Sequence, residues 1–212
     1  MNIQMPSLLI SQDPMQAILD APGDAVLTVI AGVEGPSYRP VGAMMAVFPG
    51  GQRTGTLSSG CIEADIALHA EEVLAEGQAK TIRYGRGSPF VDIQLPCGGG
   101  LDILLLPRPN KAVIADVLEH RARRAPCTLQ IDAVSSKMSL AQAGETGQVG
   151  DLLSIRFEPE IQFLVFGKGP EATTFGALVH AAGYPSTLLS PDDETLDLAA
   201  AAGCSTQHLP SR

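Results

Sequence analysis

Two runs in the chain are apolar almost without interruption. AVLTVIA (Ala25 to Ala31) and LDILLL (Leu101 to Leu106) are too short for ordinary helices, and each reads as a buried strand. AMMAVF (Ala43 to Phe48) and RTGTL (Arg53 to Leu57) flank Pro49-Gly50-Gly51-Gln52, which predicts a hairpin. KTIRY (Lys80 to Tyr84) and FVDIQL (Phe90 to Leu95) read as strands around a glycine-rich turn. CTLQIDA and LLSIRFE read as two more around a polar connection. Helical spacing appears elsewhere. Ile62, Ile66, Leu68, Val73 and Leu74 recur along IEADIALHAEEVLAEG, and Gly77 stands where a C-terminal cap belongs. Asp13-Pro14 opens a helix over MQAILDA, with Asp as cap and Pro at the first helical position. Asn110 caps another helix to about Arg124, whose last turn carries Arg121, Arg123 and Arg124, where cations suit the helix dipole.

After Pro159 the pattern changes. FLVFG (Phe163 to Gly167) reads as a strand ending at Gly167-Lys168-Gly169-Pro170-Glu171-Ala172. A helix to about Ala182 follows, then the strand STLLS (Ser186 to Ser190), a last helix from about Asp193 to Ala202 and a short tail. Strand, glycine-rich turn, helix and strand make one βαβ unit. The expectation is an α/β chain: an N-terminal α+β domain with a mixed sheet over residues 1–159, then a short α/β domain over residues 160–212.

A length of 212 residues suits one large domain or two small ones. With 45% apolar and 17% charged residues, the composition excludes wholesale disorder. The formal net charge of −9 is the wrong sign for a general nucleic-acid binder or for docking on anionic lipid. Aromatics at 4%, with no Trp, leave little to stack on single strands. No apolar run approaches the ~18 residues of a membrane span. The opening MNIQMPSLLISQDP lacks the basic and apolar regions of an export signal, so a cytoplasmic protein with reduced thiols is expected.

The candidate chemistry sits in loops. No two of Cys61, Cys97, Cys127 and Cys204 are at CxxC spacing. Ser58-Ser59-Gly60-Cys61 lies between a strand and a helix start, where backbone N–H groups should point outward unpaired. Such a place suits a phosphate, or a thiol held as thiolate. The alternative is that Ser59 or Cys61 merely caps the helix. Cys97 precedes three glycines, whose backbone can approach a ligand closely, or it is incidental to a tight turn. Cys127 and Cys204 have no such setting and read as structural. In Gly35-Pro36-Ser37-Tyr38-Arg39-Pro40, Arg39 is placed for a planar anion or phosphate, against the alternative of a solvated cation. Arg53, Arg83 and Arg86 read as exposed charges. His69 beside Glu71 and Glu72 reads as part of a solvated face rather than a metal site. GxSxG, HExxH and Walker lysine motifs do not occur.

Four segments taken together resemble one family. They are Gly35-Pro36-Ser37-Tyr38-Arg39-Pro40-Val41-Gly42-Ala43-Met44-Met45, Gly55-Thr56-Leu57-Ser58-Ser59-Gly60-Cys61-Ile62-Glu63, Arg83-Tyr84-Gly85, and Cys97-Gly98-Gly99. Their order and spacing are similar to those of the xanthine dehydrogenase accessory factors of the XdhC/CoxI type. The turn Gly167 to Ala172 resembles the start of that family's Rossmann-like domain, here shortened. The resemblance implies a maturation factor rather than an enzyme. Such a factor binds molybdenum cofactor, protects it during sulfuration and passes it to an apo xanthine dehydrogenase-type hydroxylase. The implied partners are that hydroxylase and a cysteine desulfurase, with a homodimer expected. The implied cofactor residues are Arg39, Ser58, Ser59, Gly60, Cys61, Cys97, Gly98 and Gly99. Soft sulfur from Cys61 and Cys97 suits molybdenum or its dithiolene.

Two other readings stay open. One is an NAD(P)-dependent oxidoreductase using Gly167, Gly169 and Asp192. Ser190 stands where the acidic ribose ligand of a dinucleotide fold belongs, Glu171 would repel a pyrophosphate, and only 22 residues follow Ser190, so NAD(P) is not favoured. The other is an interaction scaffold without cofactor.

Overall fold

The computed structural model describes residues 13–89 and 95–210. It divides into two compact units, 1–158 and 159–212. The strand expected over Phe90 to Leu95 falls largely outside the described residues, as does the opening segment.

The first unit is built on a five-stranded sheet. Its strands are β1 (Val26–Glu34), β2 (Met44–Val47), β3 (Arg53–Gly55), β4 (Lys80–Gly85) and β5 (Gly100–Pro107), in the order β3-β2-β1-β5-β4. The central strands are apolar on both faces because both faces are covered. On one side, Val26, Ile30, Met45, Ile103 and Leu105 pack against helix α2 (Glu63–Glu76) through Ile66, Ala70 and Val73. On the other, Leu27, Val29, Ala46, Leu104 and Leu106 meet α1 (Pro14–Asp20), α3 (Lys111–Ala122) and a second sheet. That sheet has the order β7-β6-β9-β8, from β6 (Cys127–Asp132), β7 (Met138–Ala141), β8 (Gly147–Val149) and β9 (Leu152–Phe157).

The chain is α/β, as expected, but the pairing of the first unit differs from expectation. Every strand pair described there is antiparallel, so the expected mixed sheet is two antiparallel sheets. The connection after β6 holds β7 and β8, short strands whose mixed polarity hides them in sequence. β3 ends at Gly55, leaving Thr56 and Leu57 to the following loop. Leu68 points outward from α2 at 64% exposure, and Ala67 and Ala70 take the buried face. The helix starts follow their caps: Asp13 accepts from the Met15 N–H, and Asn110 from those of Ala112 and Val113.

The second unit is a parallel sheet, β10 (Phe163–Phe166), β11 (Ser186–Ser190) and β12 (Ser205–His208), in that order. Helices α4 (Pro170–Ala181) and α5 (Asp193–Ala201) make the crossovers. The expected tail therefore contains a third strand, polar and exposed throughout, which periodicity could not reveal. Its small core is Val165, Ala172, Leu188, Ala199 and Cys204.

Strand register gathers the distinctive loops. Glu34 and Gly85 both pair with Gly100, and Gly55 pairs with Met45. The segments after β1, after β3 and before β5 therefore leave the same end of the five-stranded sheet. Two are in backbone contact: a Cβ on Gly99 would stand 2.0 Å from the Pro36 carbonyl oxygen. Replacing Gly99 by Ala should force these two loops apart and destabilise the unit by about 1–3 kcal/mol. Urea unfolding of the variant checks this; an unchanged midpoint would show that the loops have room to spare.

Candidate functional site

The loop between β3 and α2 is organised by a carboxylate. Glu63, the first residue of α2, is only 7% exposed. Its Oε1 accepts from the Thr56 hydroxyl at 2.7 Å and from the Leu57 and Ser58 N–H groups at 2.9 and 2.7 Å. Its Oε2 accepts from the Ser58 hydroxyl at 2.6 Å, and from the Gly60 and Ile62 N–H groups at 2.9 and 3.2 Å. The Ser58 hydroxyl in turn accepts from the Cys61 and Ile62 N–H groups, and the Thr56 hydroxyl accepts from Ser59. Burial alone would push the Glu63 carboxyl up. The hydrogen bonds from Ser58, Thr56 and Leu57 outweigh it and bring the value down to about 2.

This changes the expected role of the loop. The N–H groups of the loop before the helix do not point outward. Those of residues 57 to 62 are satisfied within the loop, so the backbone there is not a vacant phosphate seat. Ser58 is buried and works for the loop itself. Ser59, at φ 61°, Gly60, at φ 107°, and Cys61 form an exposed crest. The capping alternative fails too: neither Ser59 nor Cys61 caps α2, because Ile62 holds that position and Glu63 reaches back from inside the helix. Glu63 lies within the motif Gly55 to Glu63, and its part in shaping the loop is not evident from the sequence pattern. The available signal was an acidic residue at the start of a helix, directly behind a loop of small polar residues rich in N–H groups.

Cys97 is half-buried and packs against the apolar cluster that contains Leu57 and Ile62, the residues bracketing the Cys61 loop. Gly98 is exposed at φ 72°, while Gly99 is buried by its fit against Pro36. Arg39 is exposed on the neighbouring loop, and its N–H and carbonyl engage the Ser37 hydroxyl. No carboxylate pairs with its guanidinium among the described residues. Arg83 is not the exposed charge expected. It donates to Asp102 at 2.8 Å and to the Arg86 carbonyl at 2.8 Å, and it also pairs with Glu34. This clamp joins β1, β4 and β5 at the end where the loops emerge. Arg86 lies 3.7 Å from Glu34.

His69 faces Glu72 at 3.0 Å and Asp65 at 3.5 Å, and Asp65 accepts from the buried Tyr84 hydroxyl at 2.6 Å. Among the described residues no three His, Cys, Asp or Glu are arranged to hold a metal ion. Cys127 and Cys204 are buried, and burial pushes the Cys127 thiol up. A groove of about 960 Å³ lies at the opposite end of the five-stranded sheet, between α1 and the hairpin that carries Phe48 and Arg53. None of the candidate cofactor residues lines it.

In the second unit, the Gly169 N–H donates to the Thr195 hydroxyl at 2.9 Å, and that hydroxyl donates to Asp192 at 2.5 Å. Asp192 is the cap of α5, also accepting from the Thr195 N–H at 2.9 Å. The two elements considered for a nucleotide are thus bonded to each other through Thr195. Gly167 lies just beyond β10, and a Cβ there would meet the Ala172 side chain at 3.2 Å. At the start of α4, Pro170 has no N–H to offer and Glu171 places a carboxylate in the first turn. Among the described residues no helix is long and apolar enough to cross a membrane.

Comparison with known proteins places these loops in context. Residues 18–85 match the XdhC and CoxI family. That span holds Arg39, the Cys61 loop, Glu63 and Arg83; Cys97 lies beyond it. The chain is 34% identical to the molybdenum cofactor insertion chaperone PaoD of Escherichia coli, over 81% of this chain and 54% of that protein. It is 24% identical to a probable xanthine dehydrogenase subunit of Bacillus subtilis, over 80% of this chain and 60% of the relative. The chain thus spans less than two thirds of either relative. A crystal structure described as a xanthine dehydrogenase from Bacillus halodurans shares the fold at a TM-score of 0.74 and 18% identity, covering 93% of this chain and 67% of that one.

The Glu63 geometry carries a pH dependence. Its folded value of about 2 lies below the ordinary 4.5, so its contribution is complete above that value and lost as pH falls through the interval. That contribution is about 3 kcal/mol at neutral pH. The Glu63→Gln variant should lose stability at pH 7 and show a flatter decline than the parent between pH 4.5 and 2. Urea unfolding across that range measures the difference, and parallel curves for the two proteins would refute it.

Proposed function

Because this chain belongs to the XdhC and CoxI family, we propose that its first unit binds molybdenum cofactor as cargo and assists its delivery to an apo xanthine dehydrogenase-type hydroxylase. The observation carrying this reading is that Arg39, Cys61 and Cys97 all lie on loops at one end of a single rigid sheet. The cargo joins a thiophilic metal and dithiolene to an anionic phosphate on a flat pterin. Each part has a matching group in the chain. Cys61 is an exposed sulfur for the metal or its dithiolene, and Cys97 is a second on the adjoining loop. The Arg39 guanidinium suits the phosphate, in a fork geometry that a lysine could not supply. Ser59, Gly60 and Gly98 give low, exposed backbone against which a flat ring can lie.

The chain's own contribution is binding and protection. It holds the cargo by sulfur and by charge, and it adds no metal cluster of its own among the described residues. In this reading the cofactor is sulfurated while held, which calls for a cysteine desulfurase as sulfur source, and a homodimer would shield the cargo between two protomers. The second unit acts as a Rossmann-like domain for dimerisation or handover. Its glycine turn, Gly167 and Gly169, and Asp192 are engaged internally, so the dinucleotide oxidoreductase reading finds no support there. The interaction-scaffold reading differs in predicting no bound cofactor.

The test is protein purified from cells that make molybdenum cofactor, assayed for molybdenum and for fluorescent pterin. The parent should carry both. Cys61→Ser with Cys97→Ser should lower molybdenum at least fivefold, and Arg39→Ala should weaken retention of the pterin phosphate. Cys61→Ser should leave stability within about 0.5 kcal/mol, since the side chain is exposed. Full cofactor retention in the double variant removes the role of the thiols, and absence of cofactor from the parent favours the scaffold.

A further inference from the structure

The start of α2 has the makings of an anion site: a short loop, a helix N-terminus and several N–H groups aimed at one point. In this chain that point is already filled. The Glu63 carboxylate sits there and collects donors from Thr56, Leu57, Ser58, Gly60 and Ile62. A buried carboxylate with so many donors is held in one place, because any displacement strands several of them without a partner. All of these donors belong to the segment that surrounds Cys61. We infer that Glu63 is the positioning residue of the Cys61 loop: its carboxylate supplies from within the chain the anion that this helix start is shaped to hold, and so fixes the backbone that presents Cys61 to solvent.

The geometry supports this in three ways. Ser59 adopts a left-handed conformation at φ 61°, which a side chain other than Gly takes only when its surroundings require it. Those surroundings are the bonds from Ser58 and Gly60 to Glu63 on either side. Second, the Cys61 N–H is tied to the Ser58 hydroxyl, which is itself tied to Glu63, so Cys61 is one bond removed from the carboxylate. Third, Leu57 and Ile62 at the two ends of the loop are buried in the core under α2, so the loop is anchored at both ends and shaped by Glu63 between them. A consequence for specificity follows. In the proposed function the phosphate is therefore assigned to Arg39, and the loop engages the cargo through sulfur.

The inference deepens the proposed function by naming what Cys61 stands on, but its test needs no cofactor, so the two fail separately. Amide hydrogen exchange is read over residues 57–62 in the whole chain, for the parent, Glu63→Gln, Glu63→Ala and, as a control, Ile103→Ala. The control lowers the stability of the same core from the strand side, which separates local loosening from general destabilisation. Exchange over 57–62 should be at least tenfold faster in both Glu63 variants than in the control. Added formate, a carboxylate small enough for the space vacated by Glu63→Ala, should slow it again in that variant and have no effect on Glu63→Gln or the control. Exchange in Glu63→Gln no faster than in the control overturns the inference, and so does failure of formate to act on Glu63→Ala. Should Glu63→Ala not fold, the near-isosteric Glu63→Gln decides alone.

Discussion

Glu63 enters the protein interior as an ion, and a buried ion is tolerated only where donors replace its lost water. Six donors meet it, two hydroxyls and four N–H groups, all from the seven residues between β3 and α2. The need to satisfy that charge determines the shape of the turn, and the shape of the turn determines where Cys61 stands. The same arrangement engages the N–H groups of the loop before α2 within the chain.

A second ion cluster does similar work nearby. Arg83 joins Glu34, Asp102 and the Arg86 carbonyl, so the ends of β1, β4 and β5 are tied to one another. Gly99 lets the segment before β5 lie against Pro36, where any side chain would collide with backbone. Between them, the Glu63 cluster, the Arg83 clamp and the Gly99 contact hold three loops at one end of a sheet that is buried on both faces. The scaffold is rigid because its central strands carry apolar side chains to both layers. The loops above it are exposed at Arg39, Cys61 and Gly98, which is where a ligand can reach them. The proposed cargo, soft at the metal and charged at the phosphate, asks for this division between sulfur and guanidinium.

Much of this was legible in the linear order of residues. The apolar runs at Ala25 to Ala31 and Leu101 to Leu106 specify buried strands, because nothing else so short can bury that much hydrocarbon. Asp13, Asn110 and Gly77 mark helix ends by local hydrogen bonding and local conformation, which need no distant partner. The motifs around Arg39 and Cys61 announced a family whose match covers residues 18–85, while the segment before β5 lies beyond that match. Polar or short strands stayed hidden: β8 and β12 have no periodic apolar signal, β7 alternates over only four residues, and pairing with a neighbour is what makes them strands. The antiparallel pairing of the first unit was hidden as well, since strand direction is a property of neighbours.

The sequence by itself determined which segments are strands and helices in the core, where most helices begin, and which loops carry sulfur and cation. Those follow from side-chain hydrophobicity and from interactions within a few residues. Only the tertiary structure decided that the Cys61, Cys97 and Arg39 loops leave one end of a single sheet. It alone decided that Arg83 is a clamp rather than a free charge, and that the N–H groups before α2 turn inward to Glu63. Each of those outcomes depends on burial and on partners brought close by folding. A carboxylate written as one more acidic residue becomes the centre of a loop only when the core closes over it and water is no longer there to compete.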